Sequence, residues 1–81
     1  MNRKFRGISW EFSGTAGTLV YQQYRAEIVE YHNNNTQWFH WLIYDETPNM
    51  FTNGSTVTAN GHANSISRAC FMCETWIEGK R

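Results

Sequence analysis

Proline and aspartate each occur once in this 81-residue chain, and cysteine only twice. With Asp45 as the sole aspartate and no serine set in a nucleophile-elbow pattern, no hydrolase triad can be assembled. No glycine-rich phosphate cradle is present, because Gly14 and Gly17 precede a strand whereas a P-loop opens a helix. An apolar run long enough to span a membrane is missing as well. So is a signal peptide: the basic start is followed by Gly-Ile-Ser-Trp-Glu-Phe rather than an unbroken apolar tract, which makes the cytoplasm the expected location. There is no excess of either charge, since seven basic residues balance seven acidic ones. The cations crowd the two ends, and between Gly7 and Ser67 only Arg25 stands against five carboxylates. That distribution provides no basic stripe to neutralise a duplex backbone. With no repeat, linker or low-complexity run, the chain reads as one domain.

Aromatic residues are what the chain does have, at 16% of its length. Each buries a large area, which lets a short chain build a working core. Ile8, Trp10 and Phe12 alternate with polar residues, as in a half-buried strand. A turn is expected over Gly14–Thr18, followed by one long strand from Leu19 to Tyr31. His32–Thr36 reads as an Asn-rich loop. Gln37–Asp45 is the strongest strand, rich in aromatic and β-branched residues. A loop with a tight Asn53-Gly54 turn leads into a strand over Ser55–Asn60. The last segment is helical, capped by Asn64 or Ser65 and ended by Gly79 in the left-handed conformation. The expected fold is α+β: an antiparallel meander of three to four strands with a C-terminal helix packed on one face.

Both cysteines fall in the C-x-x-C of this helix. On a helical wheel Ile66, Ala69, Cys70, Cys73, Trp76 and Ile77 share one apolar arc. A redox pair would place its reactive thiol at the helix N-terminus, and zinc would need two further ligands from His32, His40 and His62. The pair therefore reads as a buried helix face, with a zinc mini-domain as a weaker alternative. The expectation is no metal, no cofactor and no catalytic constellation.

If the helix covers Tyr24, Ala26, Ile28, Phe39, Trp41, Ile43, Val57 and Ala59, the other face carries Tyr21, Arg25, Val29, Trp38, His40, Leu42 and Tyr44. That face is too aromatic for an ordinary solvent surface and has the composition of a contact site. Two other arrangements are open: the N-terminal segment, with Phe5, Trp10 and Phe12, folds over it, or the two faces exchange roles. The candidate partner-binding residues are Tyr21, Arg25, Trp38, His40, Leu42 and Tyr44, with Phe71 on the helix flank.

From Tyr24 onward the chain resembles small phage and prophage proteins of the strand-strand-strand-helix kind. The stretches YRAEIVE (Tyr24–Glu30), WFHWLIYDE (Trp38–Glu46) and ANGHANSISRACFMCETWI (Ala59–Ile77) carry the likeness, about two-thirds of the chain. Antitoxin-type and double-stranded-RNA-binding-like folds share the layout. The helix, however, has only Arg68 as a cation before its end, and no DNA-binding tail is attached. The resemblance extends to anti-CRISPR and other anti-defence proteins. It implies a non-enzymatic inhibitor that occupies a surface of a host protein or ribonucleoprotein complex. The alternative is a single-stranded nucleic-acid binder, with Trp38, His40 and Tyr44 as a stacking platform. A symmetric homodimer through the aromatic face is a further arrangement.

Overall fold

Alternating side chains and closely spaced turns fold this chain into hairpins. The computed structural model describes residues 2–47 and 55–80. Its strands are β1 (Lys4–Phe5), β2 (Ile8–Ser9), β3 (Glu11–Ser13), β4 (Ala16–Tyr21), β5 (Tyr24–Asn33), β6 (Thr36–Asp45) and β7 (Thr56–Ala63), followed by helix α1 (Ile66–Glu78). β1 and β2 form a small hairpin of their own, and β3-β4-β5-β6-β7 make a five-stranded antiparallel meander. The α+β architecture with a C-terminal helix is as the sequence indicates, with more strands than expected.

Four two-residue turns link the strands, and two of them, at Arg6 and Gln22, add strands beyond those expected. Each opens on a residue in the left-handed region: Arg6 (φ 51°), Gly14 (φ 61°), Gln22 (φ 54°) and Asn34 (φ 58°). Asn and Gly are the usual choices there, so the turns entered by Arg6 and Gln22 carry little signal. The run Leu19–Tyr31 is consequently two strands rather than one. The turn at Gln22 and Gln23 pairs Tyr21 with Tyr24 and so reverses which face Tyr21 occupies. The alternation through Ile8, Trp10 and Phe12 is likewise broken between β2 and β3. The Asn-rich loop shrinks to a tight turn, with Asn33 paired to Thr36. The Asn53-Gly54 turn lies outside the described residues.

Helix α1 starts where Ser65 accepts a hydrogen bond from the Arg68 backbone N–H at 3.1 Å. Gly79 closes it in the right-handed conformation (φ −69°), not the expected left-handed one, with its N–H bonded to Thr75 O at 3.1 Å. Ala69, Cys70, Cys73 and Ile77 face the sheet and are fully buried. They pack on Leu19, Ala26, Ile28, Phe39, Ile43 and Ala63. Small residues let the layers approach. At Gly61 a Cβ would lie 2.6 Å from the Trp41 ring, and at Gly17 it would lie 2.9 Å from Phe12.

The N-terminal segment joins the helix side of the sheet. Arg3 forms a two-pronged ion pair with Glu74, at 2.8 and 2.6 Å, and the Trp10 indole donates to the same carboxylate at 2.8 Å. Arg6 pairs with Glu78, and the Phe5 ring meets Tyr21 edge-on at 5.2 Å. The segment therefore does not fold over the opposite face. No helix among the described residues is long and apolar enough to cross a membrane.

Candidate partner-binding face

Register decides which side chains gather on the side away from α1, because strand partners share a face. The first row runs Val20, Arg25, Tyr44, Val57, and the second Thr18, Glu27, Leu42, Asn60. Val29, His40 and His62 form the third row, and Tyr31 with Trp38 the fourth. Val57 belongs here and not with the core, as its place beside Ala59 suggested. A bulge between the Ile43–Ala59 and Tyr44–Val57 pairs shifts the alternation of β7 by one residue.

Nothing covers these rows among the described residues. Val20 is 55% exposed, Tyr31 50% and Trp38 43%, and Val29 and Val57 are exposed too. Arg25, His40, Leu42 and Tyr44 are half-buried by their neighbours.

The face has two polar-aromatic centres with the Leu42 row between them. In one, the Arg25 guanidinium lies 4.2 Å from the centre of the Tyr44 ring. It is held there by Glu27 and Glu46, and Ser55 bonds to both Arg25 and Glu46. The hydrogen bond from Ser55, then that from Arg25, keeps the Glu46 carboxyl below its ordinary value. In the other centre, the His40 and His62 rings stack at 4.7 Å, Tyr31 tilts against His40 at 5.6 Å and Trp38 meets His62 edge-on at 6.4 Å. Burial, with a smaller contribution from His62, pulls the His40 pKa below its usual value.

The structure thus brings together Arg25, Trp38, His40, Leu42 and Tyr44. It separates two other candidates from them. Tyr21 is on the helix face against Phe5, and Phe71 is on the outer flank of α1, 50% exposed. His62 and Tyr31 belong to the face as well, although the sequence pattern puts His62 on the approach to the helix and Tyr31 at the end of a strand. The signal for His62 was the alternation of Ala59, Gly61 and Ala63 with Asn60 and His62, which extends the last strand beyond Asn60.

Cys70 and Cys73 are free thiols sealed under the helix. Burial pushes the Cys70 pKa up to about 11 and that of Cys73 higher still. Both stay protonated and unreactive at neutral pH. Among the described residues no group of three or more His, Cys, Asp or Glu is placed to hold a metal ion. No family model matches the chain, and neither curated proteins nor solved structures give a match.

Proposed function

We propose that this protein is a small binding protein that occupies the surface of a macromolecular partner with the uncovered face of its sheet, and that it acts by contact and not by chemistry. In the form that the resemblance to small phage proteins suggests, the partner is a host defence complex and the outcome is its inhibition. The reading is carried by one observation: a four-stranded face that exposes Val20, Val29, Tyr31, Trp38 and Val57 has no covering layer among the described residues.

Size bears on the kind of partner. With strands about 4.8 Å apart and same-face residues about 6.8 Å apart, the side chains are rooted in an area of roughly 15 by 20 Å. That corresponds to a patch of a few hundred Å², the range in which exposed apolar patches are often functional. A stable interface takes about 800 Å² from each partner. A symmetric dimer through this face alone falls short, whereas a larger partner that wraps onto the sheet edges does not. Charge bears on it too. Arg25, the one cation on the face among the described residues, is already shared between Glu27 and Glu46, which leaves little to attract phosphate.

The test is affinity capture from nuclease-treated bacterial lysate with the native chain and a Trp38→Ala/Tyr44→Ala variant. The native chain retains a stoichiometric protein complex and the variant loses it, while the melting temperature of the variant stays within a few degrees. Equal capture by both, or a variant that unfolds, removes this face as the contact surface. Quenching of tryptophan fluorescence by a short single-stranded oligonucleotide at low salt supports the nucleic-acid reading instead.

A further inference from the structure

The two edges of the main sheet are unlike each other. The β3 edge is three residues long and carries Glu11. The β7 edge is eight residues long, Thr-Val-Thr-Ala-Asn-Gly-His-Ala, with no lysine, no carboxylate and no proline. Long edges are normally blunted by charge, proline or a covering element, because their free N–H and C=O groups template further pairing. β7 is the last strand in the order, and among the described residues its outer side has no strand partner.

On the helix side, between α1 and the Trp41 ring that lies over Gly61 of β7, is an open groove of about 360 Å³ lined by Trp41, Arg68, Phe71, Met72, Thr75 and Trp76. Its origin is readable in β7. Ala59, Gly61 and Ala63 point toward the helix layer and are too small to fill the space beneath it, so Trp41 leans across Gly61. The Trp41 indole N–H is buried and has no acceptor among the described residues.

The groove also has a sign. Arg3, Arg6 and Arg25 are all paired with carboxylates, but Arg68 has none among the described residues and rests over Phe71 at 5.5 Å. At the far end of the helix Lys80 sits over Trp76 at 5.2 Å. Glu74 and Glu78 are engaged with Arg3 and Arg6, and no carboxylate lines the groove.

We propose that the β7 edge and this groove take an extended acidic and apolar peptide segment of a partner protein, by strand addition. Main-chain hydrogen bonds to β7 hold such a segment. Alternate side chains, about 6.8 Å apart, fall on the helix side along Trp41, Phe71 and Trp76. A carboxylate on the segment reaches Arg68. A second copy of the chain fits less well, since pairing β7 with itself brings no carboxylate to Arg68. The site is separate from the far face and stands whether or not the proposed function does.

The experiment is selection of a displayed random nine-residue peptide library on the full chain, followed by affinity measurement of the enriched peptides. The proposal expects alternating apolar sequences with at least one Asp or Glu. These should bind tenfold or more weakly to Arg68→Glu and to Phe71→Asp, and equally well to Glu11→Ala on the opposite edge. N-methylation of alternate peptide bonds should abolish binding. Arg68 and Phe71 are exposed, so both variants should retain the native circular dichroism spectrum. No enrichment, peptides without carboxylates, equal binding to Arg68→Glu, or self-association of the protein through β7 in sedimentation would each overturn it.

Discussion

The two faces of the sheet are built by the same strands, yet one is dry and the other open. On the helix side β4, β5 and β7 contribute Gly17, Ala26, Ala59, Gly61 and Ala63, with Leu19, Ile28 and Ile43 between them. On the far side the corresponding positions hold Arg25, Glu27, His40, His62, Trp38 and Tyr44. Total hydrophobicity does not separate the faces, since both carry large rings. What separates them is room and polar atoms. A helix bearing Ala69, Cys70 and Cys73 packs closely on a face where Phe39 and Trp41 are interleaved with small and aliphatic residues. The far face keeps groups whose hydrogen-bonding capacity a dry helix contact would strand.

Core truncation should break this contrast most visibly. Ile43 is fully buried, so Ile43→Ala is expected to cost about 2–5 kcal/mol. Trp38→Ala, on the open face, should cost under about 1 kcal/mol despite removing a larger side chain. A domain of this length has only about 4–12 kcal/mol in total. Urea unfolding of the two variants measures the difference, and equal losses would mean that the far face is buried in solution.

A smaller effect concerns what holds the N-terminal segment on the helix side. The Glu74 carboxylate accepts from both Arg3 and Trp10 and is only slightly exposed. Glu74→Ala should cost about 1–3 kcal/mol, because it leaves the Trp10 N–H and Arg3 without their acceptor. Glu74→Gln, which keeps an acceptor for Trp10, should lose less. The same pair of unfolding curves reads both, and no difference between the Ala and Gln variants would show that the Trp10 hydrogen bond contributes nothing.

Where local pattern and long-range packing agree, the sequence was a good guide. Gln37–Asp45 appears as β6, and Ser65 caps a helix whose buried stripe contains the predicted cysteines. The helix-covered face was also readable apart from Val57. Three features were not. The Gln22-Gln23 turn uses residues without turn propensity, and it moved Tyr21 to the core side. The bulge that turns Val57 outward depends on the pairing of β7 with β6, which no local alternation reveals. Ile8 and Trp10, read as one strand, are divided between a small hairpin and a buried anchor, and the partner that fixes this is Glu74, 64 residues along the chain. Of the candidate face, the β6 residues and Arg25 were legible because a ten-residue strand keeps its alternation. His62 was hidden because glycine and asparagine around it imitate a loop.

The finest probe of the contrast is pH, since the far face holds the stacked pair His40 and His62, whereas the helix side of the sheet carries only His32, beside Glu30 at the end of β5. His40 resists protonation because it is partly buried and faces His62. Below its ordinary value of 6.5 the unfolded chain therefore binds a proton at this position more readily than the native one does. The contribution to stability is complete above that value and declines as the pH falls toward the lowered native value. The carboxylates held low, Glu30, Asp45 and Glu46, act in the opposite range, losing their contributions only below about 4–5. A shallow fall in unfolding free energy between pH 6.5 and 5 thus belongs to the His40 site, and His40→Gln should flatten it while leaving stability at pH 7.5 little changed. If the slope survives the substitution, the stacked pair is not what makes the far face sensitive to acid. If it disappears, a partner bound over His40 at neutral pH should be released on acidification, which ties this small stability effect to the function proposed for the face.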